Sequence, residues 1–122
     1  MSHIVTIKTE VHDGAAVAAA CHRLALPAPA MGTAQLYSGE ATGLLVRLPD
    51  WLYPVVIDPS TGTVRYDNYG GVWGDEQHLH RFVQAYVVER SRIEARKKSY
   101  ATTEQSLADG SIMVEIEVGG QA

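Results

Sequence analysis

Cysteine occurs once in the 122 residues, which excludes an internal disulfide framework and any zinc site of the Cys-x-x-Cys kind. No apolar run approaches the roughly 18 residues that read as a membrane span. Internal repeats, low-complexity tracts and linker-like stretches are also missing. Basic residues are the minority, 10 Lys and Arg against 14 Asp and Glu, and the formal charge of −4 argues against broad electrostatic capture of nucleic acid. Hydrophobic residues make up 46% and charged residues 20%, close to the soluble globular average, so disordered, collagenous and coiled-coil chains are excluded. A chain of this length forms one domain, residues 1–122, and buries about two-thirds of its surface, enough for a core without staples. The N-terminus carries no charged leader with an apolar stretch, the C-terminus carries no lipidation pattern, and a lone thiol suits a reducing compartment. Cytoplasmic location, with no membrane partner, is the expectation.

Residues 3–9 alternate, with Val5, Ile7 and Thr9 opposite Ile4, Thr6 and Lys8, a strand pattern. Asp13 caps a helix over 13–24 whose Ala16, Val17, Ala20, Cys21 and Leu24 form one stripe, with Pro27 and Pro29 ending it. Strands follow at 35–38 and 43–48, joined by a turn at 39–42. A second hairpin, 52–58 and 63–67, turns at Pro59-Ser60-Thr61-Gly62, with proline suited to a type I turn and glycine to positive φ. Over 75–99 the period becomes helical, with Leu79, Phe82, Val83, Tyr86, Val87, Arg90 and Ile93 in one sector. Asp75 and Glu76 open that helix and Arg96, Lys97 and Lys98 close it, as the macrodipole favours. Residues 100–107 and 111–118 read as a last hairpin turning at Ala108-Asp109-Gly110, its Ile112, Val114, Ile116 and Val118 on the core face. The order β-α-β-β-β-β-α-β-β predicts an α+β fold, a mainly antiparallel sheet with two helices on one face and the last hairpin within that sheet.

The opening Met-Ser-His-x-x-Thr-Ile-Lys-Thr, and the stretch from Gln84-Ala85-Tyr86 through Glu94-Ala95-Arg96-Lys97-Lys98 to Asp109-Gly110-Ser111-Ile112, resemble one family across nearly the whole chain. It is the Ycf thirty-five-like family of uncharacterised chloroplast and bacterial proteins, a domain of unknown function. The chain departs from it at Ile4, where the family has an aromatic residue, and through residues 25–43. The family has no established reaction, so the resemblance implies no catalytic residues and no cofactor. Its members look like partners of AAA-class ATPases, which implies an accessory role.

Among individual residues, Cys21 and His22 are neighbours that a helix points about 100° apart, and Cys21 lies on the apolar stripe, where a thiol packs as a small hydrophobe. His78 and His80 fall on nearly opposite helix faces rather than at the i, i+4 spacing of a metal pair. His3 could join the chain terminus in a copper or nickel site of the adventitious kind. Metal ligands are therefore expected to be none. Arg81, Arg92 and Arg96 share a basic flank of the second helix, the sole candidate nucleic-acid surface, but Glu89 at Arg92 and Glu94 at Lys98 neutralise it at helical spacings. Arg90 stands within the apolar sector and calls for a structural ion pair.

The densest unusual segment is 66–75. Its glycines suggest a phosphate cradle, but no Walker lysine follows and Asp75 and Glu76 repel anions at the helix start. Two readings remain: Tyr69 and Trp73 fold back on the core across a sharp glycine turn, or Tyr66, Asn68, Tyr69 and Trp73 form an aromatic protein-binding patch. The sequence thus points to an accessory or adaptor protein that binds another protein. The alternatives are a small enzyme using the 66–75 loop and a weak nucleic-acid binder using the basic flank.

Overall fold

Residue register fixes the architecture. In the computed structural model, which describes residues 4–97, 101–106 and 111–117, five strands pair antiparallel. They are β1 (Val5–Lys8), β2 (Ala30–Gln35), β3 (Glu40–Val46), β4 (Val55–Asp58) and β5 (Thr63–Tyr66), in the spatial order β1-β5-β4-β3-β2. Pairs Leu44↔Ile57 and Ile57↔Val64 put one set of side chains on one face, and Leu45↔Val56 puts the next set on the other. The first face carries helices α1 (Gly14–Arg23) and α2 (Glu76–Lys97). Val46, Val55, Ile57, Val64 and Tyr66 from the sheet pack there with Val17, Cys21, Phe82 and Tyr86 from the helices. The fold is α+β with the expected element order.

Local chemistry accounts for several boundaries. The Asp13 carboxylate accepts from the backbone N–H groups of Ala15 and Ala16, at 2.9 and 3.1 Å, and starts α1. At the other end α1 stops before the prolines. Ala25 adopts φ 57°, Leu26 N–H donates to the Cys21 carbonyl at 2.8 Å and Ala25 N–H to that of His22 at 3.1 Å, a Schellman turn with alanine where glycine is usual. The β4–β5 turn forms as its sequence demands. Asp58 accepts from the Ser60 amide and hydroxyl, and Gly62 takes φ 73° in a space where a Cβ would overlap the Thr9 carbonyl and the His12 ring. The Tyr86 hydroxyl ties α2 to the start of α1, donating to the Glu10 carbonyl and accepting from the amides of His12 and Asp13, each at 3.2 Å.

Several expectations need correcting. The strand expected at 35–38 lies earlier, at Ala30–Gln35, and the turn at 36–39 rather than 39–42, closed by Leu36 N–H to the Gly39 carbonyl at 2.7 Å. Small residues pair across β2 and β3 (Gly32↔Gly43, Ala34↔Ala41), so pairing overrides a segment of low strand propensity.

The last hairpin, β6 (Ala101–Ser106) with β7 (Ile112–Glu117), does not join the main sheet. It forms its own two-stranded sheet lying against α2, with Ile112 and Val114 half-buried. Its alternation requires one covered face, and contact with α2 supplies that cover.

The covered sector of α2 is wider than the expected one, with Val83 and Ile93 packed partly against the core as expected. Leu79, Phe82 and Tyr86 are buried as expected, but so are Ala85, Val88 and Ala95, whereas Val87 and Arg90 are exposed. The cause is that α1 and the β6–β7 hairpin both lie against α2. Exposed Arg90 needs no buried partner and makes no ion pair among the described residues. The turn at 108–110, Tyr100, Val118, the Lys98 pairing and the His3 metal site fall outside the described residues.

The sheet face away from the helices carries an apolar cluster of its own. Ala34, Leu36, Ala41 and Val56 are buried there, with Ile4, Leu45 and Tyr53 packed on them. The β2–β3 turn brings Leu36 back over this face, and the second cluster positions the aromatic site.

Candidate aromatic interaction site

The site is assembled by the chain leaving β5. Asp67 and Asn68 turn inward and are buried. The Asn68 carbonyl accepts from the amides of Gly71 and Trp73, at 3.0 and 2.9 Å, while its side-chain Nδ2 donates to the Gly74 carbonyl at 3.2 Å. The 69–73 loop is thereby folded back on the Asp67–Asn68 corner. Within it Tyr69, Gly70 and Gly71 all take positive φ, at 48°, 62° and 102°. For an aromatic residue this conformation is strained by about 1–3 kcal/mol, and such strain concentrates at functional loops.

A second support comes from the 50–53 segment, where Leu52 N–H donates to the Trp73 carbonyl at 2.9 Å and the Trp51 indole N–H to the Asp75 carbonyl at 3.0 Å. Gly74 is buried against Trp51, and a Cβ there would overlap the indole. Asp75 then accepts from Gln77 N–H at 2.9 Å and opens α2.

These constraints hold the half-buried Trp73 ring at the centre of three tyrosines. Tyr69 stacks on it at 4.8 Å between centroids, Tyr37 tilts against it at 5.2 Å and Tyr53 meets it edge-on at 5.7 Å. Tyr37 is 60% exposed and Tyr69 42%, and Leu52 and Val72 beside them are 58% and 71% exposed. The result is a surface patch of amphipathic rings whose backbone is fixed from both sides.

Of the sequence-derived residues, Tyr69 and Trp73 lie in this patch. Tyr66 and Asn68 are inside. Tyr66 packs in the helix-side core, edge-on to Trp51 at 5.6 Å, and burial pushes its phenol above the ordinary range, with the Glu76 charge adding to the effect. Asn68 serves as the loop's hydrogen-bonding centre. Tyr37 and Tyr53 complete the patch from distant segments, and no spacing in the sequence links them to Trp73.

The basic-flank residues Arg81, Arg92 and Arg96 all stand on α2. Arg81 lines a small pocket of about 130 Å³ with Leu24, Leu26, Leu48, Pro49 and His78. The carboxylate beside Arg92, that of Glu89, is held at 3.0 Å by Arg23 of α1 and lies 3.9 Å from Arg92. Arg96 is exposed further along the helix, and Glu94 pairs with Lys97 at 3.7 Å. On the helix side, an open groove of about 430 Å³ between β1 and α2 is lined by Ile7, Thr9, Tyr66, Leu79, Val83 and neighbours including His80.

No group of three or more metal-ligating side chains occurs among the described residues, and no described helix is long and apolar enough to cross a membrane. No known protein-family model matches the chain, and neither a curated protein nor a solved structure matches it.

Proposed function

We propose that the chain is an accessory or adaptor protein that acts by binding another protein through the patch centred on Trp73. The observation that carries the reading is the gathering of four aromatic rings at the surface, Tyr37 and Tyr69 well exposed, around Trp73 on a loop fixed by backbone hydrogen bonds. Tryptophan and tyrosine concentrate at the energetic centres of protein interfaces, because they bury much area at small entropic cost. The resemblance to the Ycf thirty-five-like family supplies a partner class, an AAA-class ATPase. The rival reading as a small enzyme places its chemistry in the 66–75 loop. The exposed Tyr69 ring stacked on Trp73 at the tip of that loop favours the adaptor.

Trp73→Ala tests the reading. Affinity capture from native cells, read by mass spectrometry, identifies the partner, and a binding isotherm with the purified partner then gives the loss. Trp73→Ala is expected to weaken binding by about 2 kcal/mol or more, near thirtyfold. Because the ring is half-buried against three tyrosines, folding stability should fall as well, by roughly 1–3 kcal/mol. Ile57→Val, a core change costing about 0.5–1.5 kcal/mol away from the patch, should leave partner affinity intact. Equal affinity of Trp73→Ala and the unaltered chain would remove the patch from the interface.

A further inference from the structure

The Asp67 side chain is fully buried, yet neither of its carboxylate oxygens has a hydrogen-bond partner. Buried polar groups are almost always partnered, and an unpaired carboxylate in a low-dielectric setting is among the costliest groups to bury. Its position links it to the patch. Extending the β1–β5 register by one residue and the β4–β5 register by two sets Asp67 opposite Ile4 on one side and Pro54 on the other, next to Tyr53 in sequence. Tyr66 belongs to the helix-side core, so strand alternation turns Asp67 toward the face that carries Val56 and Tyr53. The next residue, Asn68, receives the Trp73 amide. The carboxylate therefore stands at the corner onto which the Trp73 loop is folded.

We propose that the Asp67 carboxylate and the rings around Trp73 form one site for a basic side chain, a lysine ammonium or arginine guanidinium presented by the partner. This rests on reading the patch as a protein-binding surface, and names the chemistry of the group it receives. Tryptophan is the best aromatic face for a cation and tyrosine the next, and the attraction grows when water is excluded. A carboxylate behind the rings completes the counter-charge. The chain's net charge of −4 draws basic segments and repels acidic ones. A hard divalent ion fits less well, since it needs several oxygen ligands and the described residues hold no such cluster.

Access requires the loop tip to lift. A Cβ added at Gly70 or Gly71 would meet nothing within 4 Å, Val72 is exposed, and Tyr69 is held in a strained conformation. Lifting residues 69–72 breaks the Gly71 N–H bond to the Asn68 carbonyl and the Tyr69–Trp73 stack, and leaves Tyr37 and Tyr53 in place as walls.

The test uses the full chain labelled with ¹⁵N and three blocked tripeptides, Gly-Lys-Gly, Gly-Arg-Gly and Gly-Gln-Gly, at millimolar concentration. The two basic peptides are expected to shift the Trp73 indole N–H saturably, and the neutral one is not. Asp67→Asn should weaken the basic peptides by at least about tenfold, while its melting temperature stays level or rises, because the amide removes a buried charge. Tyr53→Leu should weaken them severalfold through loss of one ring face. No saturable shift, an equal shift with the neutral peptide, or unchanged binding by Asp67→Asn overturns the proposal. Partner capture separates the two readings. If Trp73→Ala loses the partner and Asp67→Asn keeps it, the interface stands without the cation site. If Trp73→Ala keeps it, the interface itself falls.

Discussion

Cys21 lies on the inward face of α1, fully covered by the core between both helices and the sheet, and burial pushes its thiol above the ordinary range near pH 9. Both facts suppress reactivity, which needs an accessible thiolate. Labelling by a disulfide reagent at neutral pH is expected to wait for unfolding, with a native rate orders of magnitude below that in denaturant. Labelling at the denatured rate would show the thiol open. The same shift sets a pH dependence. Because the folded value is raised, the contribution of the neutral thiol is fully present below the unfolded pKa near 9 and is lost as pH climbs through the folded value. The Tyr66 phenol, also raised, acts in the same sense from its ordinary value of 10 upward. Melting temperature should therefore decline above pH 9, and a rise between pH 9 and 10 would contradict the assignment.

Helix α1 is specified by its own sequence at both ends, but its C-terminal turn is completed at a cost. An L-residue in the left-handed region is disfavoured by about 1–2 kcal/mol, and Ala25 holds φ 57° to make the Schellman bonds. Ala25→Gly should relieve that strain, offset in part by the greater freedom of glycine in the unfolded chain, and raise stability by roughly 0.5–1 kcal/mol. Ala20→Gly, in the buried interior of the same helix, should lower stability by about 1 kcal/mol or more. Chemical denaturation of the two variants checks the contrast, and destabilisation by Ala25→Gly would show that the turn is unstrained. Helix α2 shows the opposite relation between sequence and element. Its periodicity marks a set of residues that could be buried, and its neighbours decide which of them are.

At the scale of the whole molecule, the five-stranded sheet with its helices and the β6–β7 hairpin are built differently. β4 is the central strand, flanked on both sides, and Val55, Val56 and Ile57 are all buried. β6 and β7 pair only with each other among the described strands and rest on α2. Opening the hairpin need not disturb the sheet, so it can exchange through a lower-energy partial unfolding. Native-state hydrogen exchange is expected to find the amides of Val56 and Ile57 protected up to the global stability and those of β6 and β7 released earlier. Equal protection would mean that the hairpin is an integral part of one cooperative unit.

The sequence by itself determined what is local. The period-2 and helical segments, the Asp13 cap, the glycine turn after Pro59 and the inward stripe of α1 follow from side-chain spacing and backbone preference. The order of elements and the α+β class follow from them. Tyr69 and Trp73 were legible as candidate contact residues from composition alone. Tertiary structure decided every choice of partner. It set the last hairpin against α2 instead of in the sheet, widened the covered sector of α2, and gave the second sheet face its own apolar cluster. It also brought Tyr37 and Tyr53 to Trp73, and buried Asp67 and Asn68. The reason is physical: periodicity states which side of an element is apolar, whereas what covers that side depends on contacts between segments far apart in the chain, and one segment's pattern carries no record of the other's position.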